Sequence, residues 1–185
     1  MRQPSTWPEL DRLTRLVRAA DSLVDTLAAW TGHGIAVEIV RRVDRVVPDP
    51  AVADELALHE GARVQERDVQ MRCGELLVAD ARSWVAVDSA ALTPRVRQQL
   101  RTGGALGDAL RPVQRRRVPV RLTPHRTLPG TDPTQPVLTV HARLDVAGTP
   151  VAWCEETIYE AVFARDGGRR PAPLSDRLRP CLVGA

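Results

Sequence analysis

Two carboxylates stand side by side, Glu155 and Glu156, within GTPVAWCEETIYEAVF (148–163), a turn followed by β-prone residues. Successive side chains of a strand point to opposite faces, so one acid should face water and the other the interior. The plainer alternative leaves both exposed on an edge strand, where charge discourages pairing with other sheets. An acid held inside a site can take a proton or orient a hydroxyl group. A second chemically capable group is Arg67, which lies in QERDV beside Asp68. Its guanidinium can fork onto a carboxylate with two parallel hydrogen bonds.

All 26 basic residues are arginine, and the chain has no lysine. Schiff-base chemistry and a phosphate-loop lysine are therefore excluded. The arginine excess suits capture of carboxylates, and high-GC codon usage explains it equally well. Cys73, Cys154 and Cys181 are odd in number and form no CxxC pair, so no disulfide framework is indicated. His33, His59, His125 and His141 show no i, i+4 spacing, and neither a metal nor another cofactor is expected.

The basic run RPVQRRRVPVR (111–121) has no interleaved aromatic residue, and the net charge is only +3. It reads as an exposed strand that helps attract an anion, and no nucleic-acid partner is expected. The N-terminus MRQPSTWPEL lacks a hydrophobic signal region, and no run of about 18 apolar residues exists. A soluble cytoplasmic protein without a membrane partner is the expectation.

The elements that must position these groups follow from periodicity. PELDRLTRLVRAADSLVDTLAAWTG carries leucine and valine at helical spacing. Ser22 with Asp25 three residues later resembles a capping box, so two consecutive helices are read, with one continuous helix as the alternative. GIAVEIVRRVDRVV then reads as a strand ended by PDP, and PAVADELAL as a short helix. ARVQERDVQMR, a CGE turn and LLVADARSWVAV form a hairpin, followed by a helix in TPRVRQQLRTGG and another short one in ALGDALRP. Residues 113–122 look extended and lead into the 123–136 loop, whose length suits a lid or a disordered segment. His125, within that loop, reads as a solvated side chain more than a lid residue. A long hairpin around Ala147-Gly148 completes the domain. The order predicts a single α+β domain over residues 1–165, an antiparallel sheet with helices packed against it, and a flexible tail over 166–185. No GxGxxG or P-loop marks a nucleotide site.

Four stretches resemble the chorismate lyase family. They are Asp21-Ser22-Leu23 at a helix start, Glu66-Arg67-Asp68-Val69 in a strand, Ala105-Leu106-Gly107 with Leu110 at another helix start, and Arg143-Leu144, Gly148, Pro150 and Cys154-Glu155 in the last hairpin. The likeness runs from about residue 20 to residue 163, in order and in register. It implies a small antiparallel α+β domain enclosing a site where chorismate loses pyruvate to give 4-hydroxybenzoate, with no cofactor. The resemblance implies that Arg67 binds the ring carboxylate and that the Leu23 amide touches it. It also makes Glu155 the inward acid near the ring hydroxyl and Glu156 the outward one. Proton removal and mere orientation both remain open for Glu155. Leu106 begins the helix that matches the family's second motif. Ala81 stands where the family keeps a glycine for the ring, Cys154 where it keeps threonine, and Ala105 where it keeps proline. Arg82 and Arg143 are the candidates for the second carboxylate. Chorismate is then the small-molecule partner of a monomer or homodimer. The rival reading is a non-catalytic binding domain for a hydroxybenzoate-like molecule, related to the effector-binding domains of transcription regulators.

Overall fold

Leu10, Leu13 and Val17 recur on one stripe of α1 (Trp7–Ala19), and Leu23 and Leu27 do the same on α2 (Leu23–Thr31). The computed structural model describes residues 7–46, 49–59, 61–125 and 132–164. The 166–185 tail and part of the 123–136 loop lie outside them. The helical region breaks at Ser22, whose hydroxyl accepts the Asp25 amide at 3.2 Å. Such a cap contributes about 1 kcal/mol. Gly32, at φ 76°, closes α2 by donating its amide to Ala28.

The strands follow as β1 (Ala36–Val46), β2 (Arg63–Cys73), β3 (Leu76–Val85), β4 (Arg115–Pro124), β5 (Pro136–Val146) and β6 (Thr149–Tyr159). Between them lie α3 (Pro50–Glu55), α4 (Pro94–Arg101) and α5 (Leu106–Ala109), and a 3-10 turn over Glu160–Phe163 follows β6. The last hairpin turns on Ala147 at φ 50° and Gly148 at φ 80°. Two positive φ angles are the mark of a type I′ turn, whose twist matches that of the flanking strands. β4 and β5 extend into the 123–136 loop, and His125 donates its amide to Val137 and contacts the Thr139 hydroxyl at 2.8 Å.

One six-stranded sheet results, in the order β1-β2-β3-β6-β5-β4, with every pair antiparallel. It is two three-stranded meanders joined where β3 pairs with β6. The domain is therefore α+β, an antiparallel sheet with helices packed against it.

Helices cover one face in two groups. α1 and α2 pack on Met71, Ala79, Leu138, Val140 and Ile158. α4 and α5 bring Val96, Leu100, Ala109 and Leu110 onto Val85, Leu144, Ala152 and Cys154. Each fully buried leucine or valine contributes about 1.5–3 kcal/mol. The opposite face is open except where α3 lays Val52 and Leu56 over Val64, Trp84 and Trp153.

Candidate functional site

Strand register decides which side chains can meet. Arg67 lies opposite Ser83, and Ser83 lies opposite Cys154. Arg67, Ser83, Cys154 and, two residues on, Glu156 therefore share the helix-covered face. Asp68, Arg82 and Glu155 form the neighbouring cross-strand row and share the open face. Arg67 and Glu155 are on opposite sides of the sheet. The placement of Glu155 inside and Glu156 outside is reversed: Glu156 is buried, and the Glu155 side chain is 44% exposed. The resemblance picks the wrong member of the pair: Glu155 shares its face with Trp153, which α3, a distant segment, covers, while Glu156 lies under the other helices.

On the covered face Arg67 is 1% exposed. Its Nε donates to Gln65 Oε1 at 2.8 Å, and its terminal nitrogens donate to the carbonyls of Gly104 at 2.8 Å and Leu100 at 2.7 Å. The strand thus holds the end of α4 and the Gly103-Gly104 elbow that leads to α5. Gly103 sits at φ 98°, a conformation that side chains rarely adopt. No carboxylate pairs with Arg67 among the described residues. Burial and the nearby Arg42 push its guanidinium down to about 10, against the pull of Asp44.

A second buried arginine escapes the sequence reading. Arg117 pairs with Glu156 and donates to the Val17 carbonyl at 3.0 Å and the Ala20 carbonyl at 3.5 Å, at the end of α1. Burial pushes the Glu156 carboxyl up, and Arg117 pulls it the other way. The signal for Arg117 was present but diluted: it is one of three consecutive arginines, and strand alternation sends only alternate members inward. Between the two arginines the sheet floor is made of Ala81, Ser83 and Cys154, all small and all buried. Leu23 begins α2 beside this region, and Leu106 begins the four-residue α5.

The open face carries a row with one charged or titratable side chain from each strand, Arg41, Asp68, Arg82, Glu155, His141 and Arg121, whose sign alternates from Arg41 to Glu155. Arg82 bonds Asp68 at 2.8 Å, Arg41 bonds it at 3.3 Å, and His141 lies 3.8 Å from Glu155. A shallow groove of about 360 Å³ lies here, lined by Val40, Asp68, Gln70, Asp80, Arg82 and Glu155. Asp80 accepts the Tyr159 hydroxyl at 2.6 Å. Arg143 also projects on this face, bonded to Asp145 at 2.8 Å and 3.8 Å from Glu55. Of the expected site residues, Arg67, Leu23, Ala81 and Leu106 belong to the covered face, and Glu155, Arg82 and Arg143 to the open one.

No protein-family model matches the sequence, and no curated protein matches it. Solved structures do. The effector domain of PhnF from Mycobacterium smegmatis superposes with a TM-score of 0.55 at 14% identity, over 86% of this chain and 93% of that one. PhnF from the same organism gives a TM-score of 0.56 at 12% identity, over 89% and 84%. The ligand-binding domain of a GntR-family transcriptional regulator from Bordetella bronchiseptica gives 0.50 at 16% identity, over 67% and 84%. The chain has the fold of these regulator domains. The expectation of a carbon–oxygen lyase, with chorismate as substrate and a place in aromatic biosynthesis, is overturned. The shared fold is that of regulator domains, and the two groups a lyase would need in one site, Arg67 and Glu155, are divided by the sheet. No helix among the described residues is long and apolar enough to cross a membrane.

Proposed function

We propose that the chain is a non-catalytic effector-binding domain whose ligand is a small organic anion. The observation that carries this reading is Arg67, a buried cation held by neutral oxygens alone. Burying an unpaired charge is costly, and an incoming anion relieves that cost. A ligand carboxylate would replace the Gly104 and Leu100 carbonyls with charge-assisted bonds about twice as strong. That exchange loosens the hold of β2 on the α4–α5 elbow, so binding has a mechanical output. The likeness to ligand-binding and effector domains supports the same reading.

Calorimetric titration with 4-hydroxybenzoate tests it. Arg67→Ala should weaken binding by about 2–5 kcal/mol, since it removes the charged partner in a buried pair. Arg67→Lys should recover only part of that, because a point charge cannot reproduce the fork. Equal affinity in wild type and Arg67→Ala would remove Arg67 from the ligand site.

A further inference from the structure

The two edges of the sheet are built differently. β4 carries Pro119 and Pro124, which have no N–H to give a further strand, and a bulge between Pro119 and Arg121. β1 carries no proline or glycine along its 11 residues. On its side away from β2, no strand meets its backbone groups among the described residues. Three of the four exposed large hydrophobic side chains among the described residues also belong to β1: Val37, Val40 and Val43. An open edge flanked by apolar side chains is a template for another strand.

The register against β2 fixes what this edge presents on each face. Arg42 lies opposite Arg67 and Asp44 opposite Gln65, so both belong to the helix-covered face. Val43, opposite Glu66, belongs to the open one. Arg42 and Asp44 are both exposed. Arg42 lies beside Gly103 and has no ion-pair partner among the described residues. Asp44 accepts one bond, from the Gln65 amide nitrogen at 3.2 Å, through Oδ1 alone. A bulge between Ile39 and Arg41 interrupts the strand, so its regular outer stretch begins at Arg41.

We infer that β1 pairs with β1 of a second copy of this chain, antiparallel about a twofold axis at Val43, so that two six-stranded sheets become one. A twofold axis perpendicular to the sheet keeps each face with itself and makes every contact reciprocal. Val43 then meets Val43 of the second copy on the open face. On the covered face Arg42 meets Asp44 of the second copy, and the same pair recurs across the axis. Such cross-strand pairs of opposite charge stabilise a sheet. Charge also fixes the position of the axis. Centred on Arg41, Arg42 or Asp44, it would set like charges against each other, and centred between two residues of this stretch it would mix the two faces. The edge is therefore complementary to itself, which singles out a second copy as its occupant. This inference is independent of the ligand that the domain takes.

Sedimentation velocity on the full chain over a range of concentrations tests it and should show a monomer–dimer equilibrium. Arg42→Asp and Asp44→Arg should each weaken the dimer by at least about tenfold, because each turns two attractions into two repulsions. Arg42→Asp/Asp44→Arg exchanges the charges and should restore association. Val43→Cys places two thiols across the axis, so mild oxidation should yield a covalent dimer joined through residue 43, which peptide mapping identifies. Should a single charge variant fail to fold by circular dichroism, the double variant and Val43→Cys still decide. A wild-type chain that stays monomeric at millimolar concentration overturns the inference. A dimer that neither folded charge variant weakens, or that Val43→Cys does not link through residue 43, overturns it as well, and places any self-association on another surface.

Discussion

The guanidinium of Arg117 bonds the Glu156 carboxylate and the Val17 carbonyl at once, so one side chain ties β4 and β6 to the end of α1. All three partners are buried or nearly so, and neither charge has water to fall back on. Arg117→Met or Glu156→Gln alone should each cost about 3–5 kcal/mol, the usual penalty for stranding one member of a buried pair. Arg117→Met/Glu156→Gln should cost clearly less than the sum. Urea denaturation of the four proteins measures the coupling, and strict additivity would show that the pair is not energetically linked.

Glu155→Gln should leave both stability and 4-hydroxybenzoate affinity within about 0.5 kcal/mol of wild type, as expected of a partly exposed side chain on the open face. The same change one residue on, at Glu156, is the disruptive one. A larger effect at Glu155 in the same denaturation series would contradict the register of β6 against β3.

Ala147 holds a left-handed conformation at φ 50° in the last hairpin turn. A Cβ is disfavoured there, and glycine is not. Ala147→Gly should therefore raise stability by about 1 kcal/mol, the gain in native-state fit exceeding the entropy added to the unfolded chain. Thermal unfolding reads this directly, and a lower midpoint would refute it.

Burial and the neighbouring Arg121 push His141 below its ordinary value, with Glu155 pulling the other way. The folded state then binds fewer protons than the unfolded chain between the lowered and the ordinary histidine range. Stability should rise with pH across that window and level off above the ordinary value of about 6.5. His141→Gln should flatten the slope in denaturation series at pH 5 to 7.5. A wild-type slope of the opposite sign would mean that Glu155 dominates.

Much of the fold was legible because local chemistry and tertiary demand agree. Ser22 both breaks the helical pattern and caps α2, and Gly74, at φ 57°, and Gly148 mark the turns where β-branched runs reverse. The acid on the covered face was not legible from β6 alone. Alternation establishes that one of two adjacent glutamates points inward, but which one depends on what each face of the sheet meets. Here α1, α2, α4 and α5 cover the face of Glu156 and only α3 reaches the other, over Trp153, while the family resemblance pointed to Glu155. Arg67 was found because it stands between Glu66 and Asp68 in a stretch that resembles a family motif. Arg117 was hidden by Arg115 and Arg116, which share its type and not its burial.

The meanders β1–β3 and β4–β6 can each form from neighbouring segments, but their junction, β3 on β6, brings together residues as far apart as Ala79 and Ile158. Pairing across such a separation is slow, because loop entropy must be lost before contacts reward it. The low floor of Ala81, Ser83 and Cys154 spans that junction and exists in neither half alone. A ligand seated there would touch both halves of the sheet and favour the state in which they are joined. It should therefore slow unfolding while leaving the folding rate nearly unchanged, the kinetic signature of contacts absent from the transition state.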